Sequence, residues 1–318
     1  MAKYISFYSY KGGVGRTLTL INVAAALAKE GKSVIIWDLD LEAPGIQAFP
    51  LLNLSGIENE IKTGTVDIIL DFQDNDYKIG DDQLVLDSIY GLKPGNLDKI
   101  YQPLKNIKLL PAGKLDEEYP EKYSRIQWKE LFDEKKNVGF DVFEWCYRVM
   151  GNMGVDVVLV DSSTGLTNLS LITTVQVPDL VYLVFNYNQQ NLRGLNSIYT
   201  ALRSPAIQQD IRNFLLPVIP VASMVTGDYK KHKERKTFLL KEYNIEPGYE
   251  IPFYEPLIME EEILTLSDEF KTSGPTEVFD DIARYISNFI PDRLKKEKEL
   301  KKGITSSDEK KLKKEKNN

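Results

Sequence analysis

The stretch Tyr10-Lys11-Gly12-Gly13-Val14-Gly15-Arg16-Thr17 constrains this chain more than any other feature of it. It follows an alternating, β-rich segment, Tyr4 to Tyr10. It opens a segment, Arg16 to Lys29, in which Leu20, Val23, Ala24, Leu27 and Ala28 recur at helical spacing. Gly31 closes that helix. Glycines concentrated in a strand-to-helix turn let the backbone bend tightly and point its N–H groups inward. The helix beginning near Arg16 aims the positive end of its dipole at the same place. Together these make a cradle for phosphate, and Thr17 supplies the hydroxyl expected on a magnesium ion beside it.

The rest of the chain repeats the alternation of strand and helix. Ser33 to Trp37 is a short apolar run ending at Asp38, and Val155 to Val160 is another ending at Asp161. Ile107 to Leu110, Leu180 to Phe185, Leu215 to Ala222 and a short piece near Ile251 read as further strands. Helical patterns fall around Ser124 to Asp133, Phe140 to Met153, Gln190 to Leu202 and Thr276 to Ile290. The stretch from Phe49 to Asn106 reads as irregular, with short helical pieces. This order predicts an α/β fold, a mostly parallel twisted sheet with helices on both faces and right-handed crossovers. Ligands of such sheets bind beyond the carboxyl ends of the strands. Asp38, Asp40 and Asp161 all follow predicted strands, so they are expected to gather at one edge. Residues 1–292 are read as a single domain with an irregular insertion at about 49–106, and 293–318 as a lysine-rich flexible tail.

Composition narrows the chemistry. Hydrophobic residues make up 42% and charged residues 27% of 318, so the chain can bury a core. Cys146 is its one cysteine and His232 its one histidine, which removes intramolecular disulfides, multi-thiolate or multi-histidine metal sites and most histidine-based triads. Cys146 is expected in the core. His232 lies in a basic segment, Tyr229 to Lys236, read as a solvated helix start. No apolar run reaches the roughly 18 residues a membrane span needs, and the N-terminus passes straight into a strand, so a cytoplasmic protein is expected. The net charge is −7, and residues 293–318 carry +6, which leaves −13 on the preceding body. Such a body repels nucleic acid on average, so DNA is unsupported and would need a local patch or the tail. The tail has too few bulky apolar residues for an amphipathic membrane anchor.

The segment Lys11-Gly12-Gly13-Val14-Gly15-x-Thr17 resembles the deviant Walker A motif of the ParA/MinD group of P-loop ATPases, and the arginine at position 16 is similar to that of the KGGVGR-variant subgroup. The resemblance implies a P-loop NTPase fold of the SIMIBI/MinD-like type. It implies ATP and Mg2+ as cofactors, held by Gly12, Gly13, Val14, Gly15, Arg16, Thr17 and Leu18. Lys11 would reach across a dimer to the partner's nucleotide, while Arg16 stands where the family's second lysine contacts the phosphates of its own chain. Arginine is a planar fork rather than a compact ammonium, so the phosphate geometry must differ. Asp38-Leu39-Asp40 resembles the family's Asp-x-Asp motif. By that likeness Asp38 helps hold hydrated magnesium and Asp40 orients the attacking water. Val157 to Gly165 looks like a Walker B strand with its switch loop, so Thr17, Asp38 and Asp161 form the metal set, and Gly165 permits a nucleotide-dependent movement. Glu42 reads as a surface charge. Ser223-Met224 and Pro252-Phe253 are candidates to border the base. No guanine-reading Asn/Thr-Lys-x-Asp segment occurs, which favours ATP.

The function expected is therefore a slow, magnesium-dependent ATPase that acts as a dimerisation switch on a protein partner encoded nearby. The alternative is a nucleotide-sensing scaffold with little turnover. A cluster-bearing reductase of this fold would need two cysteines per chain, and tyrosine kinases of this fold carry a tyrosine-rich tail, whereas the last tyrosine here is Tyr285. An amide-forming ligase remains open, with no substrate pocket legible.

Overall fold

The computed structural model describes residues 1–49, 57–94, 99–133, 138–212, 214–227, 230–259 and 261–295. The lysine-rich tail from position 296 onward and Tyr229 of the basic segment lie outside the described residues. Eight strands form one sheet: β1 (Lys3–Tyr8), β2 (Val34–Leu39), β3 (Tyr90–Gly91), β4 (Ile107–Leu110), β5 (Val157–Ser162), β6 (Leu180–Phe185), β7 (Val218–Val225) and β8 (Tyr249–Pro252). Their order is β3-β4-β2-β5-β1-β6-β7-β8. Every neighbouring pair is parallel except β3 with β4.

Helices of ten or more residues cover both faces: α1 (Arg16–Lys29), α2 (Thr65–Asp74), α3 (Gly139–Asn152), α4 (Gln189–Leu202), α5 (Lys230–Tyr243) and α6 (Gly274–Asn288). The strand residues sort by alternation. Ile5, Phe7, Val34, Ile36, Val157 and Leu159 pack with Leu20, Val23, Ala24 and Leu27 of α1 and with Phe279 and Ile282 of α6. Tyr4, Ile35, Trp37, Val158 and Val160 pack on the other side with Val66, Ile69 and Phe72 of α2 and with Phe143 and Cys146 of α3. Tyr8, Val181, Leu183 and Phe185 meet Leu192, Leu195 and Ile198 of α4 and Leu239 of α5. All residues of β2, β5 and β6 are buried, which is why these strands read as unbroken apolar runs. The α/β class expected from the sequence is the one observed.

Two stretches differ from the sequence reading. Between positions 49 and 106 lies α2, a ten-residue helix whose Thr65, Val66, Ile68, Ile69, Leu70 and Phe72 are buried. Its start is fixed by the Gly64 amide, which donates to Asp67 Oδ2 at 2.9 Å. The pattern from Ser124 to Asp133 is not one helix but two short ones, Tyr119–Ser124 and Trp128–Leu131. The break falls at Gln127, whose amide donates to the side chain of Gln73 on α2 at 2.8 Å, so a tertiary contact displaces the helical bond. Among the described residues no helix is long and apolar enough to cross a membrane.

Candidate functional site

The glycine loop leaves the carboxyl end of β1 and enters α1 at Arg16. Gly13 and Gly15 hold φ of +70° and +76°, the left-handed region that L side chains rarely adopt, so the turn depends on glycine at both. Gly15 is the residue before the first turn of α1, which carries no acidic side chain. The positive end of that helix is therefore left for an anion. Ser223 of β7 donates to the carbonyl of Val14 at 2.5 Å and anchors the loop from the far side.

β2 and β5 are parallel neighbours, and their register sets Asp38 opposite Asp161. Both carboxylates are buried. Arg16, only 6% exposed, turns its guanidinium onto this pair of strand ends: Nε donates to Asp161 Oδ1 at 2.6 Å and Nη2 to Asp40 Oδ2 at 2.8 Å. Thr17 donates to Asp161 Oδ2 at 2.8 Å. The Asp40 amide closes onto Asp38 Oδ1 at 3.0 Å. Burial, together with the neighbouring Asp161 charge, pushes the Asp38 carboxyl well above the usual carboxylate range. Burial raises Asp40 as well, although Arg16 pulls it the other way. For Arg16 burial opposes the charge, but Asp161 and Asp40 outweigh it and hold the guanidinium protonated.

A cleft of about 620 Å³ lies over this arrangement, lined by Gly12 to Leu18, Asp40, Glu42 and Thr164 among others. Lys11 is exposed beside it, its Nζ 5.5 Å from the centre of the Tyr10 ring. The predicted residues thus converge: Lys11 to Leu18, Asp38, Asp40 and Asp161 occupy one edge of the sheet. Glu42 is exposed, as expected, but also borders the cleft. Met224 comes within 3.7 Å of where a Cβ on Gly15 would lie. The Phe253 side chain is 49% exposed and outside the cleft lining. His232 meets the Thr226 hydroxyl at 3.2 Å on α5, away from these groups. Cys146 is in the core.

The donor set suits a nucleotide with a divalent cation. Arg16 Nη1 and Ser9 Oγ are buried without a hydrogen-bond partner among the described residues, and both residues line the cleft. Phosphate oxygens would satisfy such donors. Among the described residues no three carboxylate, histidine or cysteine groups form a metal cage by themselves. A magnesium ion held by one hydroxyl, phosphate and water needs none.

A family model described as an AAA domain matches residues 2–112. The septum site-determining protein MinD of Synechocystis sp. is 39% identical over 71 residues, a match spanning 22% of this chain and a quarter (25%) of that protein. Among solved structures, MinD from Pyrococcus horikoshii, complexed with Mg-ADP, superposes with a TM-score of 0.60 at 18% identity over 91% of this chain and 97% of its own. A ParA family ATPase from Chlorobium tepidum does so with a TM-score of 0.57 at 17% identity, covering 89% and 98%. In fold, and in the phosphate loop that the matched segment contains, this chain is similar to ParA/MinD-type P-loop ATPases.

Around this site, three supporting contacts were not read from the sequence. Gly194 on α4 lies against Tyr10, and a Cβ there would meet the Tyr10 ring at 2.0 Å. Tyr8 donates to the carbonyl of Gly165 at 2.7 Å and ties the loop after β5 to β1. Glu261 lines the cleft from the C-terminal third of the chain, with φ of +52°. Tyr8 and Glu261 carry no local signal for these contacts. A glycine inside a helical pattern was the single available hint, and it pointed to close packing without naming the partner.

Proposed function

We propose that the chain binds ATP with magnesium in this cleft, hydrolyses it slowly, and works as a switch of the ParA/MinD kind, within the subgroup that carries arginine after the last loop glycine. The contact that most supports this is Thr17 to Asp161 at 2.8 Å, beside the amino end of α1. A hydroxyl and a carboxylate joined beneath a glycine loop are the pair that holds magnesium against nucleotide phosphates. In this reading the amides of Gly12 to Gly15 bind the phosphates, and Arg16 adds charge through Nη1. Asp38 and Asp161 orient the metal's water shell. Asp40, at the cleft wall, positions the attacking water. Magnesium, when bound, supplies positive charge to the phosphate oxygens as the bond to the leaving group breaks. Exposed Lys11 completes the site of a second copy, so ATP drives a homodimer. Gly165, held by Tyr8, is the point at which the loop after β5 responds to nucleotide. Residues 1–292 act as one unit in the cytoplasm, and the output is binding of a protein partner rather than DNA, in keeping with the acidic body.

A second reading is favoured by one observation, the commitment of Arg16 to both Asp161 and Asp40. If that clamp persists with nucleotide bound, the chain is a nucleotide sensor that hardly turns over. Magnesium-dependent ATP hydrolysis, measured beside light-scattering mass for wild type, Lys11→Ala and Asp40→Ala, separates the two. The switch reading expects slow turnover and an ATP-dependent dimer that Lys11→Ala abolishes and Asp40→Ala traps. ATP binding without turnover above the Asp40→Ala background replaces it with the sensor. Absence of ATP binding overturns both.

A further inference from the structure

The fold holds a second cavity, of about 540 Å³, remote from the cleft. It lies near the amino ends of β1 and β6, whereas the glycine loop follows the carboxyl end of β1. Two contacts fix this location. Asp179, just before β6, accepts from the Tyr4 amide at 2.9 Å, and Arg293 donates to the carbonyl of Ala2 at 2.7 Å.

Its walls are unusual. Two π-helical turns, Ile172–Gln176 and Ala206–Ile211, both contribute lining residues. Such turns make up well under 1% of residues in globular proteins and collect at functional sites. Most of the lining is apolar, including Phe140, Leu171, Val175, Val177, Ile207 and Ile211. Leu171 and Ile211 are 48% and 68% exposed, a large apolar surface for a chain to leave in water.

The polar groups gather in one place and do not balance. Arg293 is neutralised by Asp179, with Nε to Oδ1 at 2.6 Å and Nη2 to Oδ2 at 2.8 Å. Arg212 joins the two π-helical walls: its Nη groups donate to the carbonyls of Val175 and Pro178, and its Nε has no hydrogen-bond partner. No carboxylate of the described residues stands within ion-pairing distance of it. Among the described residues the lining therefore holds two guanidinium groups and one carboxylate. Burial lowers the pKa of Arg212, and the nearby Asp179 charge, already bonded to Arg293, only partly offsets it. An apolar cavity of this size with a few convergent polar groups at one side is the form small-molecule sites take.

We infer that this cavity is a binding site for an amphipathic organic anion, a carboxylate on an aliphatic body, with the head group beside Arg212 and the body between the two π-helical turns. The excess positive charge of the described lining residues selects an anion over a neutral or cationic amphiphile, and a recess rather than a flat apolar face selects a free molecule over a bilayer.

The test is calorimetric titration of the full chain with dodecanoate, dodecanol and dodecyltrimethylammonium, each below its aggregation threshold, beside co-sedimentation with phosphatidylglycerol vesicles. One dodecanoate per chain is expected, bound at least tenfold more tightly than dodecanol, with no uptake of the cation and none of the chain on vesicles. Arg212→Gln should weaken dodecanoate at least tenfold. Because Arg212 also joins two walls, Ile211→Glu serves as a second variant. Ile211 is exposed, so the change should leave the fold intact, and it should repel the same ligand to a similar degree. Equal affinity for dodecanol, unchanged binding in Ile211→Glu, binding to vesicles alone, or no binding of dodecanoate each overturns the assignment.

Discussion

Replacing Arg16 by methionine removes a charge while keeping most of the packing of the stem, so it isolates the guanidinium. In the native chain that group is 6% exposed and bonds Asp161, itself 1% exposed, at 2.6 Å and Asp40, 17% exposed, at 2.8 Å. Breaking a buried pair by deleting one partner costs about 3–5 kcal/mol, because the charge left behind has no compensation. The Asp40 contact is closer to solvent and adds less. A loss of about 3 kcal/mol lowers the folded-to-unfolded ratio on the order of a hundredfold. Urea unfolding of wild type, Arg16→Met, Asp161→Asn and the double variant, without nucleotide or magnesium, measures it. The single variant should lose about 3 kcal/mol, and the double should lose less than the sum of the two singles by about 2 kcal/mol. The pH dependence has a fixed sign. Asp38 and Asp40 are raised in the folded chain. Such carboxyls bind protons in the native state before they do in the unfolded one, so their contribution to stability grows as pH falls through that window. The penalty of Arg16→Met should accordingly shrink from pH 7.5 to pH 5. A loss below about 1 kcal/mol, strict additivity in the double variant, or a penalty that grows on acidification would refute the argument.

Three further outcomes follow from single positions. Gly194→Ala should destabilise the chain by about 1–3 kcal/mol despite alanine's better helix propensity, since its Cβ would fall 2.0 Å from the Tyr10 ring; thermal unfolding and nucleotide titration should show loss of both stability and affinity, and a rise in melting temperature would contradict this. Burial pushes the Cys146 thiol up to about 12, so native protein at pH 8 should resist iodoacetamide while urea-unfolded protein is alkylated at once, as read by intact mass. That shift also means a small loss of stability as pH climbs above the thiol's ordinary value of about 8.5. Asp179→Asn leaves the Arg293 guanidinium without its carboxylate next to the first residues of β1; a loss of about 2–4 kcal/mol is expected by urea unfolding, and a neutral result would show that the pair is solvated.

What the sequence made legible is what local pattern controls. The strand, loop and helix around Lys11 to Lys29 are written in adjacent residues, and α1 begins at the predicted Arg16. The convergence of Asp38, Asp40 and Asp161 was also readable. In a parallel sheet every strand presents its carboxyl end to the same edge, so an acid at the carboxyl end of each of two buried strands has nowhere else to go. The break at Gln127 was not legible, because it depends on Gln73, far away in sequence. The two-residue β3 was missed for a related reason. A single antiparallel pairing at a sheet edge leaves no periodicity to detect.

The orientation of Arg16 belongs to the second group. From the sequence its place in the loop directs it to phosphate, as the lysine of related loops is directed. In the folded chain two buried carboxylates stand within its reach, and a planar fork of donors can bond both at once while a compact ammonium meets them as a point charge. On the proposed function, the side chain would therefore have two anionic partners, the acids of the sheet edge and the phosphates of a nucleotide, competing for one cation. Position 16 is thus where this chain can differ in behaviour from loops that carry lysine. Any nucleotide entering the cleft has to be bound at the expense of, or alongside, the clamp on Asp161 and Asp40, and the energy of that clamp, measurable through Arg16→Met, sets how much binding energy the phosphates must supply to redirect it.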